Sequence, residues 1–154
     1  AGHVLWQCVY QPDPGDGVSR RCAVLCWGGA ALRLKERDQL IGWDPLTRAN
    51  RLGLVVQWRR FVVLETARAP NLATRCLGLA RRRLPGQWEE THGFRPLLAE
   101  SFSDLRRHKG TVYKASNWEP LGFTAGFKRH RADFYRPHDR PKKLWTTDHK
   151  SLTI

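Results

Sequence analysis

Short apolar runs set apart by turns organise this chain. Val4–Tyr10 reads as a strand and Cys22–Trp27 as a second. Between them QPDPGDGV (11–18), with two prolines and two glycines, predicts a turn, so the two strands should form a hairpin. Leu32, Leu34 and Leu40 among charges predict a short helix, which Ile41-Gly42-Trp43-Asp44-Pro45 breaks. Leu52–Gln57 and Phe61–Glu65 are apolar and β-branched, and read as adjacent antiparallel strands around a tight turn at Trp58-Arg59-Arg60. Pro70 stops the second, and Asn71 can cap a helix. Leu72, Cys76, Leu79, Ala80 and Leu84 then recur at helical spacing, with Arg75, Arg81, Arg82 and Arg83 on the remaining surface. This predicts an amphipathic helix over 71–84 with a basic outer face. Pro85-Gly86 ends it, and Gln87–His92 reads as a polar turn anchored by Trp88. Arg95–Phe102 predicts a strand, and GTVYKASNWEPLGF (110–123) opens with a short helix. Strands near Phe123–Phe127 and over Lys143–Thr147 complete the series.

The order defines an α/β fold with a mixed sheet. The crossover from Phe61–Glu65 through the helix to Arg95–Phe102 is a βαβ unit, which makes those strands parallel.

At 154 residues the chain is long enough for one domain with a real core, and 41% hydrophobic residues argue against disorder throughout. Seven tryptophans are spread along it, as in a globular body. The sequence starts at Ala1 and has no methionine, so it reads as a fragment or as lacking its true start. No apolar run approaches the roughly 18 residues of a membrane span, and no signal peptide opens the chain; the expected setting is the cytoplasm, with no membrane partner. Cys22 and Cys26 lack a matching second pair, so no metal site is expected and the cysteines read as buried thiols.

Charge changes the picture more. The net charge is +13, and residues 128–150 alone carry 8 basic and 3 acidic side chains. A body this basic suits an anionic partner, nucleic acid above all, although abundant Arg from a GC-rich genome would give the same balance.

Four segments in order carry a resemblance: RDQLIGWD (37–44), VVLETARAPNLATRCLGLARRRL (62–84), GFRPLLAESFSD (93–104) and GTVYKASNWEPLGFTAG (110–126). They resemble the DruA family of the Druantia anti-phage defence systems, whose related domains also occur beside transposases. The resemblance runs over about residues 4–147 and implies a single domain over 1–154 with a basic tail from about 128. It implies nucleic acid as partner, with other defence-system or transposase subunits. The strand, loop, helix, strand and WEPLGF (118–123) succession also resembles the cofactor-binding half of the GNAT acetyltransferase fold. That likeness implies a GNAT-like mixed sheet with flanking helices and acetyl-CoA or another acyl-CoA as cofactor. Asn71, Leu72, Ala73 and Thr74 would meet the cofactor pyrophosphate at a helix N-terminus, though this loop lacks glycines. Where that fold often carries an acidic tyrosine, this chain has Trp118; Tyr113 is the nearest substitute. GTVYKASNW (110–118) further resembles a segment of phage Mom-type proteins that modify adenine in DNA.

The candidates follow. Glu100 or Tyr113 would move a proton. Asp104, Gly110, Thr111, Asn117 and Trp118 would contact substrate, with Trp118 better suited to the core. Arg75, Arg81, Arg82, Arg83, Lys128, Arg129, Arg131, Lys142 and Lys143 would bind nucleic-acid phosphates. Three functions remain open: a DruA-like defence protein binding or acting on nucleic acid, an acyl-CoA-dependent N-acyltransferase of a nucleobase or other amine, and a non-catalytic interaction domain.

Overall fold

The computed structural model describes residues 2–64, 69–103, 111–123, 127–131, 134–137 and 143–148. The hairpin forms as expected: β1 (Val4–Pro12) runs antiparallel to β2 (Ser19–Gly29). Its turn is fixed by side chains, with Asp13 Oδ1 accepting from the Gly15 amide at 2.7 Å and Asp16 Oδ1 from the Val18 amide at 2.9 Å.

Helix α1 (Lys35–Ile41) forms in the stretch expected for it and takes in Ile41, the first residue of the expected break. The break that follows is a turn into a second helix, α2 (Pro45–Arg51), which the periodicity does not predict. Asp44 starts α2, its carboxylate accepting from the Leu46 and Thr47 amides, and Pro45 sits at the first position, where a missing N–H costs nothing.

Residues 52–65 differ from expectation. There is no hairpin: β3 (Val55–Val63) is one strand, preceded by a 3-10 turn at Leu52–Leu54. Trp58-Arg59-Arg60 is its middle, where β3 pairs with β2 through a bulge that leaves Arg59 as the extra residue opposite Cys26/Trp27.

Helix α3 (Leu72–His92) also corrects the expectation, because it runs through Pro85 to a Gly93 cap at φ 84. Leu84, Pro85 and Trp88 are all buried, so packing carries the helix across the lost Pro85 donor. β4 (Leu98–Ser103) runs parallel to β3, as the crossover requires. Then come α4 (Thr111–Ala115), β5 (Glu119–Phe123), β6 (Phe127–Arg131), β7 (Phe134–Pro137) and β8 (Lys143–Asp148). The main sheet is ordered β1-β2-β3-β4-β8-β5, so the last strand inserts beside β4; β6 and β7 pair separately.

The core lies between α3 and one face of this sheet. Leu25, Trp27 and Val56 from the strands meet Leu77, Ala80, Leu84 and Trp88 from the helix. Buried Gln7 links the layers: its Nε2 donates to the Ala80 carbonyl at 2.9 Å, and its Oε1 accepts from Trp27 Nε1 at 2.6 Å. All four cysteines are free, with Cys22 and Cys76 Sγ atoms 3.9 Å apart in the core. No described helix is long and apolar enough to cross a membrane.

Candidate functional site

The parallel strands β3 and β4 pair only briefly. Val55, Val56 and Gln57 face Leu98, Ala99 and Glu100; beyond them β3 stays with β2 and β4 with β8. The bulge at Arg59 begins where this pairing stops and bends β3 away. A wedge therefore opens at the strand carboxyl ends, the place where open α/β sheets bind ligands.

Tyr113 of α4 fills the wedge on the core side. Its hydroxyl shares a 2.9 Å hydrogen bond with Ser101 Oγ and lies 3.5 Å from the Phe102 carbonyl, while Ser101 Oγ reaches the Trp58 carbonyl at 3.5 Å. The Trp58 and Phe102 carbonyls on either side of the divergence thus each lie within 3.5 Å of a hydroxyl. The Tyr113 ring stacks on Trp145 at 5.1 Å and meets Trp58 and Trp118 edge-on. Burial raises the Tyr113 pKa, offset in part by the Ser101 hydrogen bond, so the phenol is protonated at neutral pH. The buried indole N–H groups of Trp58 and Trp118 have no acceptor among the described residues.

Glu100 occupies the opposite side of the sheet, since it neighbours Ser101 in a strand. It is fully buried. Its Oε2 accepts from Arg37 Nη1 at 2.9 Å and its Oε1 from the Ala31 amide at 2.9 Å. Arg37, also fully buried, donates through Nε and Nη2 to Asp38 Oδ1, and Arg48 donates to Asp38 Oδ2 at 3.0 Å. Desolvation raises the Glu100 pKa against the pull of Arg37. Both carboxylate oxygens are engaged and out of reach of solvent. Glu100 is therefore held as the ion-pair partner of Arg37, and the structure does not bring it together with Tyr113.

The other expected residues divide. Asn71 is exposed, in the left-handed region at φ 56, and its side chain makes no cap. Leu72 points into the core and its amide already donates to the Ala69 carbonyl at 3.3 Å. Ala73 and Thr74 stand in the first turn, where helix amides lack intrahelical partners. With Val63, Ala69 and Pro70, residues 71–74 line an open hollow of about 690 Å³. Thr111 is exposed at the start of α4, and Asn117 is exposed at φ 61 in the turn that ends it. Trp118 belongs to the core, stacked on Trp27 at 6.3 Å with planes 12° apart. Arg75, Arg82 and Arg83 are exposed on α3, whereas Arg81 is buried and reaches Thr147 Oγ1 at 3.5 Å. Arg81 therefore leaves the set of surface phosphate ligands. Lys128, Arg129 and Arg131 are positions of β6, and Lys143 Nζ lies 4.6 Å over the Trp145 ring. Asp104, Gly110 and Lys142 lie outside the described residues.

Sequence reasoning assigned nothing to Arg37 and Ser101. The Arg37 signal was present: Leu34, Arg37 and Ile41 fall on one helical face, which puts an arginine in an apolar stripe. Ser101 has no comparable local signal.

A mixed sheet with a diverging parallel pair, a helix crossing between its members and a short helix after the second is the GNAT-like fold. The structure is similar to that of Arabidopsis thaliana NAA60 in complex with acetyl-CoA, at 13% identity and TM-score 0.61, over 97% of this chain and 78% of that one. It also resembles aminoglycoside acetyltransferase AAC(6')-Ib in complex with coenzyme A, at 9% identity and TM-score 0.50, over 86% of this chain. The chain spans 62% of the length of that acetyltransferase. By sequence, residues 17–141 match the Druantia protein DruA family, and the chain belongs to it. It is thus a DruA-family chain on a GNAT-like core. No curated protein matches its sequence significantly.

Proposed function

We propose that this DruA-family chain serves defence by binding nucleic acid. The carrying observation is the unbalanced charge: Arg75, Arg82 and Arg83 stand exposed along α3 within a chain of net charge +13. The acids of that helix, Glu89 and Glu90, lie toward its far end, and Glu89 is already bound to Arg95 at 3.1 Å. Five phosphate contacts would give a slope of log affinity against log salt of about −4 to −5 on duplex DNA. Changing Arg75, Arg82 and Arg83 together to Gln should flatten that slope by about 3. Titration of labelled DNA at several salt concentrations checks both. No binding even at about 50 mM salt sinks the reading.

A second reading, an acyl-CoA-dependent N-acyltransferase acting on a nucleobase or other amine, is favoured by the wedge. The fit is partial. The hollow at residues 71–74 has room for a phosphate beside the Ala73 and Thr74 amides in the first turn of α3. The wedge itself is closed by Tyr113, Ser101 and the Trp58 carbonyl, so an acyl arm would have to displace the Tyr113 hydroxyl. Bound there, the cofactor would supply an activated acyl group; Tyr113 would hold a proton nearby. Acetyl-CoA at about 100 times its dissociation constant should stabilise the fold by about 2.7 kcal/mol in a thermal-shift scan. An unchanged melting temperature over a wide concentration range rejects acetyl-CoA as ligand.

A further inference from the structure

On the sheet face turned away from α3, β1 and β3 expose large side chains, while Cys26 of the central β2 is buried. Along β1, Leu5, Gln7 and Val9 point into the core, and Trp6, Cys8 and Tyr10 point out. Trp6 is 60% exposed and Tyr10 54%. The strand register extends both rows. Trp6 pairs with Cys26, which pairs with Arg60; Cys8 pairs with Val24, which pairs with Val62, itself 55% exposed. Tyr10 pairs with Arg21, whose guanidinium lies 5.9 Å over the tyrosine ring. Arg59, the extra residue of the bulge, lies across Gly28, where any side chain would collide with it, and donates to the Gly29 carbonyl at 3.0 Å.

Two features make this face specific. Its aromatic rings sit in one row about 13 Å apart, four residues along a strand. Its ionised side chains are all arginines: the outward positions of β1 and β2, and those of β3 at Gln57, Arg59, Arg60 and Val62, include no acid. The acids of the nearby turn, Asp13 and Asp16, are taken by Arg20. A solvated face would not leave a tryptophan and a tyrosine open among unopposed cations, and an apolar partner would leave those cations desolvated and unpaired. A ligand with flat apolar rings on an anionic backbone satisfies both. Duplex DNA hides its base faces, whereas a single strand presents them for stacking.

We infer that the outer face of β1–β3 is a single-stranded nucleic-acid platform, with Trp6 and Tyr10 stacking bases and Arg21, Arg59 and Arg60 meeting phosphates. This rests on the nucleic-acid reading above and adds the strand form and the surface. It is independent of α3, which lies on the opposite side of the sheet.

The test uses a labelled 12-nucleotide oligo-dT and a duplex of equal length. Trp6→Ala and Tyr10→Ala should each weaken oligo-dT binding by about 5- to 150-fold, as expected for a lost base stack. Trp6→Phe should retain most of it, and duplex binding should change far less. A second readout needs no variant: Cys8 is exposed between the two rings while the other cysteines are buried, so saturating oligo-dT should slow its alkylation by N-ethylmaleimide. Unchanged oligo-dT affinity in both alanine variants, with unprotected Cys8, overturns the platform while leaving duplex binding through α3 intact. Absence of binding to either nucleic acid overturns the platform and the general reading together. A concentration-dependent dimer that Trp6→Ala disperses would assign the face to a second copy of the chain instead.

Discussion

Replacing Arg37 by Met is expected to lower the unfolding free energy by about 3–5 kcal/mol at neutral pH, because it strands a buried carboxylate. Glu100 and Arg37 are both fully buried and joined at 2.9 Å, and Asp38 and Ala31 complete the network. Through it, the loop at Ala31 and helix α1 are fastened to β4 just where β4 parts from β3. The pH dependence distinguishes a lost ion pair from lost packing. Burial raises the Glu100 pKa above its ordinary 4.5, and Arg37 pulls it down. A carboxyl with a higher pKa folded than unfolded favours the fold at low pH, and that contribution is lost as pH rises from the unfolded value through the folded one. Without Arg37 the folded value climbs further and the loss deepens. The deficit of the variant should therefore be small near pH 4 and grow toward pH 8, as measured by denaturant unfolding at each pH. Replacing the pair together, with Arg37→Met and Glu100→Leu, should recover at least half of the deficit. A deficit that is flat with pH, or a double variant as weak as the sum of its parts, would reject the ion pair as the cause.

How far the wedge was legible in the sequence depends on the range of each signal. The parallel crossover was readable, since a strand, a helical period and a second strand in order leave one arrangement. The divergence at its carboxyl end was not, because in Trp58-Arg59-Arg60 two arginines interrupt an apolar run and so predict a turn. In the fold those arginines face solvent on the side of the sheet turned away from α3 and one of them makes the bulge. Pro85-Gly86 misled in the same way. A local breaker was overridden by the burial of Leu84 and Trp88 on either side. Asp44-Pro45 shows the reverse error, a cap and first helical residue read as a break. The Arg37–Glu100 pairing spans 63 residues, and no local pattern specifies it. A carboxylate at a strand end suits a base, but which side of the strand Glu100 faces, toward Arg37 and away from Tyr113, is not written locally.

Trp118→Ala is expected to cost about 3–5 kcal/mol in stability, the second large effect. The sequence left Trp118 between a substrate contact and a core plug, and the geometry favours the plug. Its ring is buried between Trp27 and Trp58, with centroids 6.3 and 5.9 Å away, and Tyr113 meets it edge-on at 5.7 Å. Its amide donates to the Tyr113 carbonyl at 2.9 Å, so it also closes the turn that follows α4. Removing the side chain would open a cavity beneath Tyr113 and loosen the group that fills the wedge. Trp118→Phe should lose much less, since it keeps an aromatic ring and discards an indole N–H that has no acceptor among the described residues. Guanidinium unfolding of both variants measures the difference, and oligo-dT titration of the folded Phe variant should match the parent chain. A Trp118→Ala protein of unchanged stability that had lost a ligand would return the residue to the binding site. The N–H groups of Trp58 and Trp118, which meet no acceptor among the described residues, would then mark where that ligand accepts, on the core side of the wedge.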